Sequence, residues 1–248
     1  MHKGGPAGGG VVRRRDAGAG AYDAVLFDVF GTLIDFRSTF DLTLRRILSD
    51  MGLEGRASVF FRNWRTFTFQ GESQGEFVTV HEDFESGLVS TLRALGIEGV
   101  EDYCKEVIDD LFEHLRVADA YPEVKRVVGE LGSGGVAWAV VSNIDEGDLR
   151  VILEHQGLRP CVAISSEAAR SYKPDPGPFL MGLRALGVPP GRVLHVGDSP
   201  LMDVDGARRV GIATAWVNRY NDIYPPNLPL PGFTISDLGP VPGIVSGE

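Results

Sequence analysis

Residues 24–28 read Ala-Val-Leu-Phe-Asp, and Val-Phe-Gly-Thr-Leu follows. An apolar run this short and unbroken suits a strand buried on both faces, as strands of parallel sheets are. It stops at a carboxylate, and Gly31 then permits a tight turn. The pattern returns after Tyr121-Pro122, with apolar runs at 136–141, 162–164, 193–196, 213–217 and 233–235. Between them lie helix-like stretches at 122–131, 147–155, 176–186 and 201–210, the first with Pro122 in its opening turn. Strands alternating with helices imply βαβ units with right-handed crossovers. The expected fold class is therefore α/β, a doubly wound parallel sheet.

Residues 39–115 have a different texture. Leu44, Ile47, Leu48, Leu88, Leu92, Val107, Ile108 and Leu111 recur at helical spacing, and no strand is expected among them. This predicts a bundle of about four helices, inserted after the first strand. The expected organisation is a tail at 1–20, an α/β core from 21–36 and 120–248, and a helical cap at 37–119. The tail is rich in Gly and Ala. Its arginines 13–15 are followed by Asp16 rather than by an apolar run, so it does not read as a secretory signal.

No stretch has the length of a membrane span. A net charge of -10 argues against nonspecific nucleic-acid binding, which needs a basic face. Two cysteines, Cys104 and Cys161, read as buried or half-buried thiols and fit a reducing cytoplasm. The expectation is a cytoplasmic protein with a small-molecule substrate, no nucleic-acid or membrane partner, and a monomeric or homodimeric state.

In open α/β sheets, ligands bind beyond the carboxyl ends of the strands. Polar residues gather there: Asp28, Ser142-Asn143, and Gly197-Asp198. Asp28 is suited to nucleophilic attack with a covalent intermediate, or simply to capping a helix. The loop to Thr32 can aim backbone N–H groups at an anion. Ser142 can donate to a substrate oxygen or cap the next helix. Lys173, stiffened by Pro174 and Pro176, can neutralise developing negative charge or be merely solvated. Asp198 and Asp203 at a strand-to-helix junction, near a third acid, are suited to Mg²⁺, which wants hard oxygen ligands. His195 reads as a satisfied core residue.

Phe27 to Leu33, Val141-Ser142-Asn143, Tyr172-Lys173-Pro174-Asp175-Pro176 and His195 to Asp203 resemble, in order, the four motifs of the haloacid dehalogenase superfamily. The resemblance implies that core and cap together cover about 22–240. It implies Asp28 as nucleophile, with Thr32, Ser142 and Lys173 assisting and Asn143 near the substrate. It also implies Mg²⁺ held by Asp28, the Phe30 carbonyl and Asp198, with Asp203 a direct ligand or a partner behind them.

Two activities compete within that resemblance. The Gly-Asp of the fourth motif is similar to the superfamily's phosphatases, but these mostly place an acid/base Asp where this chain has Phe30. General acid–base catalysis is worth roughly 10²–10⁴-fold. An acyl phosphate would suffer less from its loss, or another residue, from the cap, could supply the proton. The first motif is similar to 2-haloacid dehalogenases, whose halide leaving group needs no proton. Trp64-Arg65 is similar to a Trp-Arg pair of their caps, which makes Arg65 a candidate for substrate or halide binding. Arg37, Arg62 and Trp64 are further candidates to face the substrate. Like-charge repulsion between Asp28 and Asp198 argues for a cation. The sequence therefore favours a Mg²⁺-dependent phosphatase or phosphotransferase, with a 2-haloacid dehalogenase as the alternative and a catalytically silent binding domain as a third reading.

Overall fold

The computed structural model describes residues 22–68, 72–73 and 76–248, together with a backbone strand at 12–13. Among the described residues, nine strands form two sheets. They are β1 (Val12–Arg13), β2 (Ala24–Phe27), β3 (Glu72–Ser73), β4 (Glu76–Phe77), β5 (Ala137–Ser142), β6 (Val162–Ser165), β7 (Val193–Gly197), β8 (Ala213–Val217) and β9 (Phe233–Ile235). The main sheet runs β1-β9-β8-β7-β2-β5-β6. All neighbours are parallel except β1 and β9. It is an α/β core with a doubly wound parallel sheet.

β2 lies between β5 and β7, so Asp28 leaves the middle of the sheet where the chain turns to opposite sides. That is the crevice in which such folds bind ligands. Side chains of β2 alternate as a pleated strand requires. Val25 and Phe27 pack with the helices α5 (Val124–Ser133), α6 (Glu146–Gln156) and α10 (Val241–Ser246). Ala24 and Leu26 face the other way, toward Phe179 and Leu183 of α8 (Pro176–Leu186) and Ala207 of α9 (Gly206–Arg209). All four β2 residues are fully buried, which is why the run contains no polar residue. A single turn, α7 (Ser166–Ala169), follows β6.

The inserted segment carries α1 (Arg37–Asp50), α2 (Ala57–Phe67), α3 (Val80–Ala94) and α4 (Glu101–Arg116). They enclose their own core, centred on Ile47, Phe60, Leu88, Leu92, Ile108 and Leu111. Thr79 and Glu82 form a capping box that starts α3. Among the described residues, no helix is long and apolar enough to cross a membrane.

Several local expectations need correction. β3 and β4 pair as a two-residue ladder inside the cap, where no strand is expected; so short a ladder shows no period in sequence. Pro122 precedes α5 instead of opening it, because Val124 N–H bonds Tyr121 C=O at 3.0 Å and closes a turn first. Residues 201–210 do not form one α-helix. Pro200–Asp205 make a wide π-type turn, with Val204 N–H reaching Ser199 C=O, and α9 follows as a single turn. Cys104 is buried, but Cys161 is exposed, because it precedes the edge strand β6. The tail at 1–20 lies outside the described residues, apart from the backbone of β1.

Candidate active site

Asp28 follows β2 directly and is 5% exposed. Its N–H bonds the Val196 carbonyl at 2.9 Å, which continues the β2–β7 ladder and fixes the Cα. Oδ1 accepts from Ser142 Oγ at 3.0 Å and from Lys173 Nζ at 2.7 Å. Strand β5 and the loop before α8 thus converge on one oxygen of the carboxylate.

Lys173 is as buried as a core residue, at 2% exposed. Its ammonium also donates to Asp203 Oδ1 at 2.6 Å. A buried charge is tolerated only when paired and hydrogen-bonded, and here two carboxylates meet it. Burial works against the charged lysine, but Asp203 and Asp28 outweigh it and hold its pKa above the ordinary value. Asn143 positions this loop. Its Nδ2 donates to the Lys173 carbonyl at 3.0 Å and its Oδ1 accepts the Lys173 N–H at 2.7 Å. Asn143 lines the cavity, but its amide is already engaged with the backbone of Lys173.

Asp203 is saturated. Oδ1 meets Lys173 and His195 Nε2, the latter at 3.0 Å, and Oδ2 accepts the Ser199 N–H at 2.9 Å. Burial alone would raise its pKa; Lys173 and His195 reverse that and hold it below the ordinary range. This pairing accounts for the wide turn at 200–205, which brings Asp203 back toward the strand ends. Of the two expected roles for Asp203, direct metal ligand or partner behind the ligands, its bonds to Lys173 and His195 fit the second. His195 is buried but only half satisfied, since Nδ1 has no partner.

Asp198 is different. The Trp216 indole N–H bonds its carbonyl at 2.8 Å and so places its backbone. Burial first, then the charges of Asp28 and Asp203, push its pKa well above the ordinary value. Burial also raises Asp28, with Lys173 opposing and Asp203 adding. Carboxylate oxygens of Asp28, Asp198 and Asp203 lie within 4.8 Å of one another. A divalent cation fits this donor set, since it would relieve the like-charge repulsion that raises the Asp198 pKa. Asp28 and Asp198 would hold it. Gly31, at φ +80°, leaves the space Asp198 needs, because a Cβ there would collide with its carboxylate.

Above these groups a cavity of about 610 Å³ opens between core and cap. Asp28, Phe30, Ser142, Lys173, Asp198 and Asp203 reach it from the core. The cap supplies Phe40, Phe61, Trp64, Arg65, Thr68, Val80, Phe84, Phe112 and Leu115. Arg65 therefore meets the expected cavity, as does Trp64, which is also part of the cap core. Arg37 and Arg62 do not line it; Arg37 lies over the Tyr220 ring at 3.8 Å. Nor does Thr32 line it. Its hydroxyl is buried with no protein partner.

Two further residues matter that had no signal of their own in sequence. Arg219, after β8, donates to the Gly31 carbonyl at 3.2 Å and the Thr32 carbonyl at 2.7 Å. It is held by Glu123 at 2.8 Å and stacks on Tyr121 at 3.5 Å, so it anchors the loop after Asp28. Asp145, three residues beyond Ser142, accepts the N–H groups of Val80 at 2.7 Å and His81 at 3.1 Å. A carboxylate of the core thereby caps a helix of the cap.

The site lies at the mouth of an α/β sheet, under an inserted helical cap. Residues 22–211 match the family model of haloacid dehalogenase-like hydrolases, and the chain belongs to that family. It is 26% identical over 223 residues to haloacetate dehalogenase H-2 of Moraxella sp. (strain B), covering 89% of this chain and 91% of that protein. It is 29% identical over 209 residues to N-acetylmuramic acid 6-phosphate phosphatase of Pseudomonas putida, covering 83% and 86%. The structure of L-2-haloacid dehalogenase from Xanthobacter autotrophicus superimposes with a TM-score of 0.71 at 25% identity, covering 91% of this chain and 99% of that one.

Proposed function

We propose that the protein displaces a leaving group from carbon, as a dehalogenase acting on a 2-haloacid, through an ester of Asp28. This reverses the order in which the sequence alone ranks the two activities. One observation carries it: among the described residues, the cap brings no carboxylate or histidine to the wall in place of the acid/base Asp that Phe30 displaces. Among the described lining residues the only carboxylates are Asp28, Asp198 and Asp203, and the cap contributes neither carboxylate nor histidine. Halide departs without a proton, so this wall costs a dehalogenase nothing. The haloacetate dehalogenase of Moraxella and the fold shared with the Xanthobacter enzyme support the same reading.

In this reading Asp28 Oδ2, the oxygen not engaged by Ser142 and Lys173, attacks the carbon bearing the halogen. A C–O bond forms, the carbon–halogen bond breaks, and halide leaves with the electron pair toward Arg65. Water then attacks the Asp28 ester carbonyl. The 2-hydroxy acid is released, the carboxylate is restored and one proton passes to solvent. Lys173 and Ser142 stabilise the oxyanion that develops at Asp28.

The three clustered carboxylates favour a second reading, a Mg²⁺-dependent phosphatase acting on a substrate with a good leaving group. Bound Mg²⁺ would neutralise the repulsion between the nucleophile and a phosphoryl group. Two assays with and without Mg²⁺ separate the readings: chloride release from 2-chloropropionate, and phosphate release from acetyl phosphate. Chloride release independent of Mg²⁺ and lost in Asp28→Asn supports the dehalogenase. Mg²⁺-dependent phosphate release with no chloride release overturns it.

A further inference from the structure

We propose that the substrate carries an uncharged, apolar group of aromatic size beside the atom Asp28 attacks, and that this group seats in the cap. The proposal rests on the reading that Asp28's substrate binds in the cavity between core and cap.

The cavity measures about 610 Å³, within the range of sites that enclose a drug-sized ligand. A two- or three-carbon acid leaves most of it unfilled. The unfilled part has one chemical character. From the nucleophile loop into the cap the wall is a continuous chain of rings, with Phe30–Phe36 and Phe36–Phe40 centroids each 6.1 Å apart. Phe40 then stacks on Trp64 at 5.2 Å and 17°. Trp64 meets Phe84 at 6.0 Å, and Phe84 meets Phe112 at 5.8 Å.

Polar groups on the wall are few and mostly engaged. Thr68 gives its hydroxyl to the Trp64 carbonyl at 2.8 Å, and the Asn143 amide is bonded to the Lys173 backbone. Arg65 is exposed and so stands at the rim. Beyond the unpartnered Trp64 indole N–H, a sugar or other polyol placed among these rings would find few partners for the water it loses, a penalty for each unsatisfied hydroxyl. An aryl or branched alkyl group instead gains both burial and ring contacts.

Binding separates this proposal from the chemistry assigned above. Asp28→Asn is titrated by calorimetry with three inert acids: butanoate, 4-phenylbutanoate and gluconate. The phenyl acid should bind roughly tenfold or more tighter than either other acid. Phe40→Ala, checked for folding by its melting curve, should reduce that preference. Equal affinities, tighter gluconate, or no binding of the phenyl acid overturns the proposal. Chloride release by the wild type is then compared on 2-chloro-4-phenylbutanoate and 2-chlorobutanoate. A phenyl binding preference without chloride release from either means the substrate class stands and the dehalogenase reading falls. Chloride release that is as fast or faster from the small acid means the converse.

Discussion

Lys173 places its ammonium 2.7 Å from Asp28 Oδ1 and bonds Asp203 with the same group. In the proposed mechanism, one cation therefore orients Asp28 through the oxygen that does not attack. Removing it would leave buried carboxylates facing each other without a counter-charge. Lys173→Met should lower kcat by at least roughly 10²-fold. Breaking a buried pair on one side costs about 3–5 kcal/mol, so the melting temperature should fall as well. Steady-state kinetics and calorimetry on the same preparation check both.

Arg219 acts on catalysis through the backbone. Its guanidinium ties the Gly31 and Thr32 carbonyls to Glu123. Arg219→Met should let the loop after Asp28 drift, and a misplacement of about 1 Å can cost roughly 10²-fold. The account expects kcat to fall with KM little changed. A rise in KM alone would mean that the loop binds substrate without orienting the nucleophile.

Asp145 joins core to cap at the first turn of α3. Asp145→Ala removes the acceptor for two N–H groups. Hydrogen exchange at Val80 and His81 should speed up while amides within β5 stay protected. Loss of such a cap costs about 1 kcal/mol, too little to unfold the protein, so the effect should appear as local opening.

Acidity offers another check. Burial raises the Asp28 pKa, Lys173 opposes, and Asp203 adds to the rise. The nucleophile works ionised, and its ionised fraction shrinks as pH falls through that raised value. The acid limb of kcat/KM should therefore lie above ~3.9, the ordinary value for Asp. A limb at or below that value contradicts the burial argument.

Much of this arrangement is visible in the order of residues, for a physical reason. Strands buried on both faces are predominantly apolar, so Asp28, Ser142 and Asp198 stand out where the apolar runs stop. The strand-end rule then places them together without knowledge of any contact. Other features carry no such mark. Arg219 acts on two carbonyls far away in the chain, and backbone acceptors leave no trace in composition. Asn143 has the right position for substrate binding, yet only coordinates reveal that its amide is bonded to Lys173. Asp203 reads as a metal-site residue in sequence, but its bonds to Lys173 and His195 appear only in the fold, and the wide turn that carries it has the periodicity of an ordinary helix. The aromatic wall is scattered over five segments from Phe30 to Phe112, so it reads as helix core until the cap folds back over Asp28.

The central claim is that Asp28 attacks carbon and that water then attacks Asp28. A single turnover of 2-chloropropionate in H₂¹⁸O, with enzyme in excess, tests it by mass spectrometry of the peptide bearing Asp28. The account predicts ¹⁸O in the Asp28 carboxylate and an unlabelled hydroxyl in the product, because the product takes its oxygen from the enzyme. A labelled product with unlabelled Asp28 would contradict it, since water would then have attacked the substrate directly.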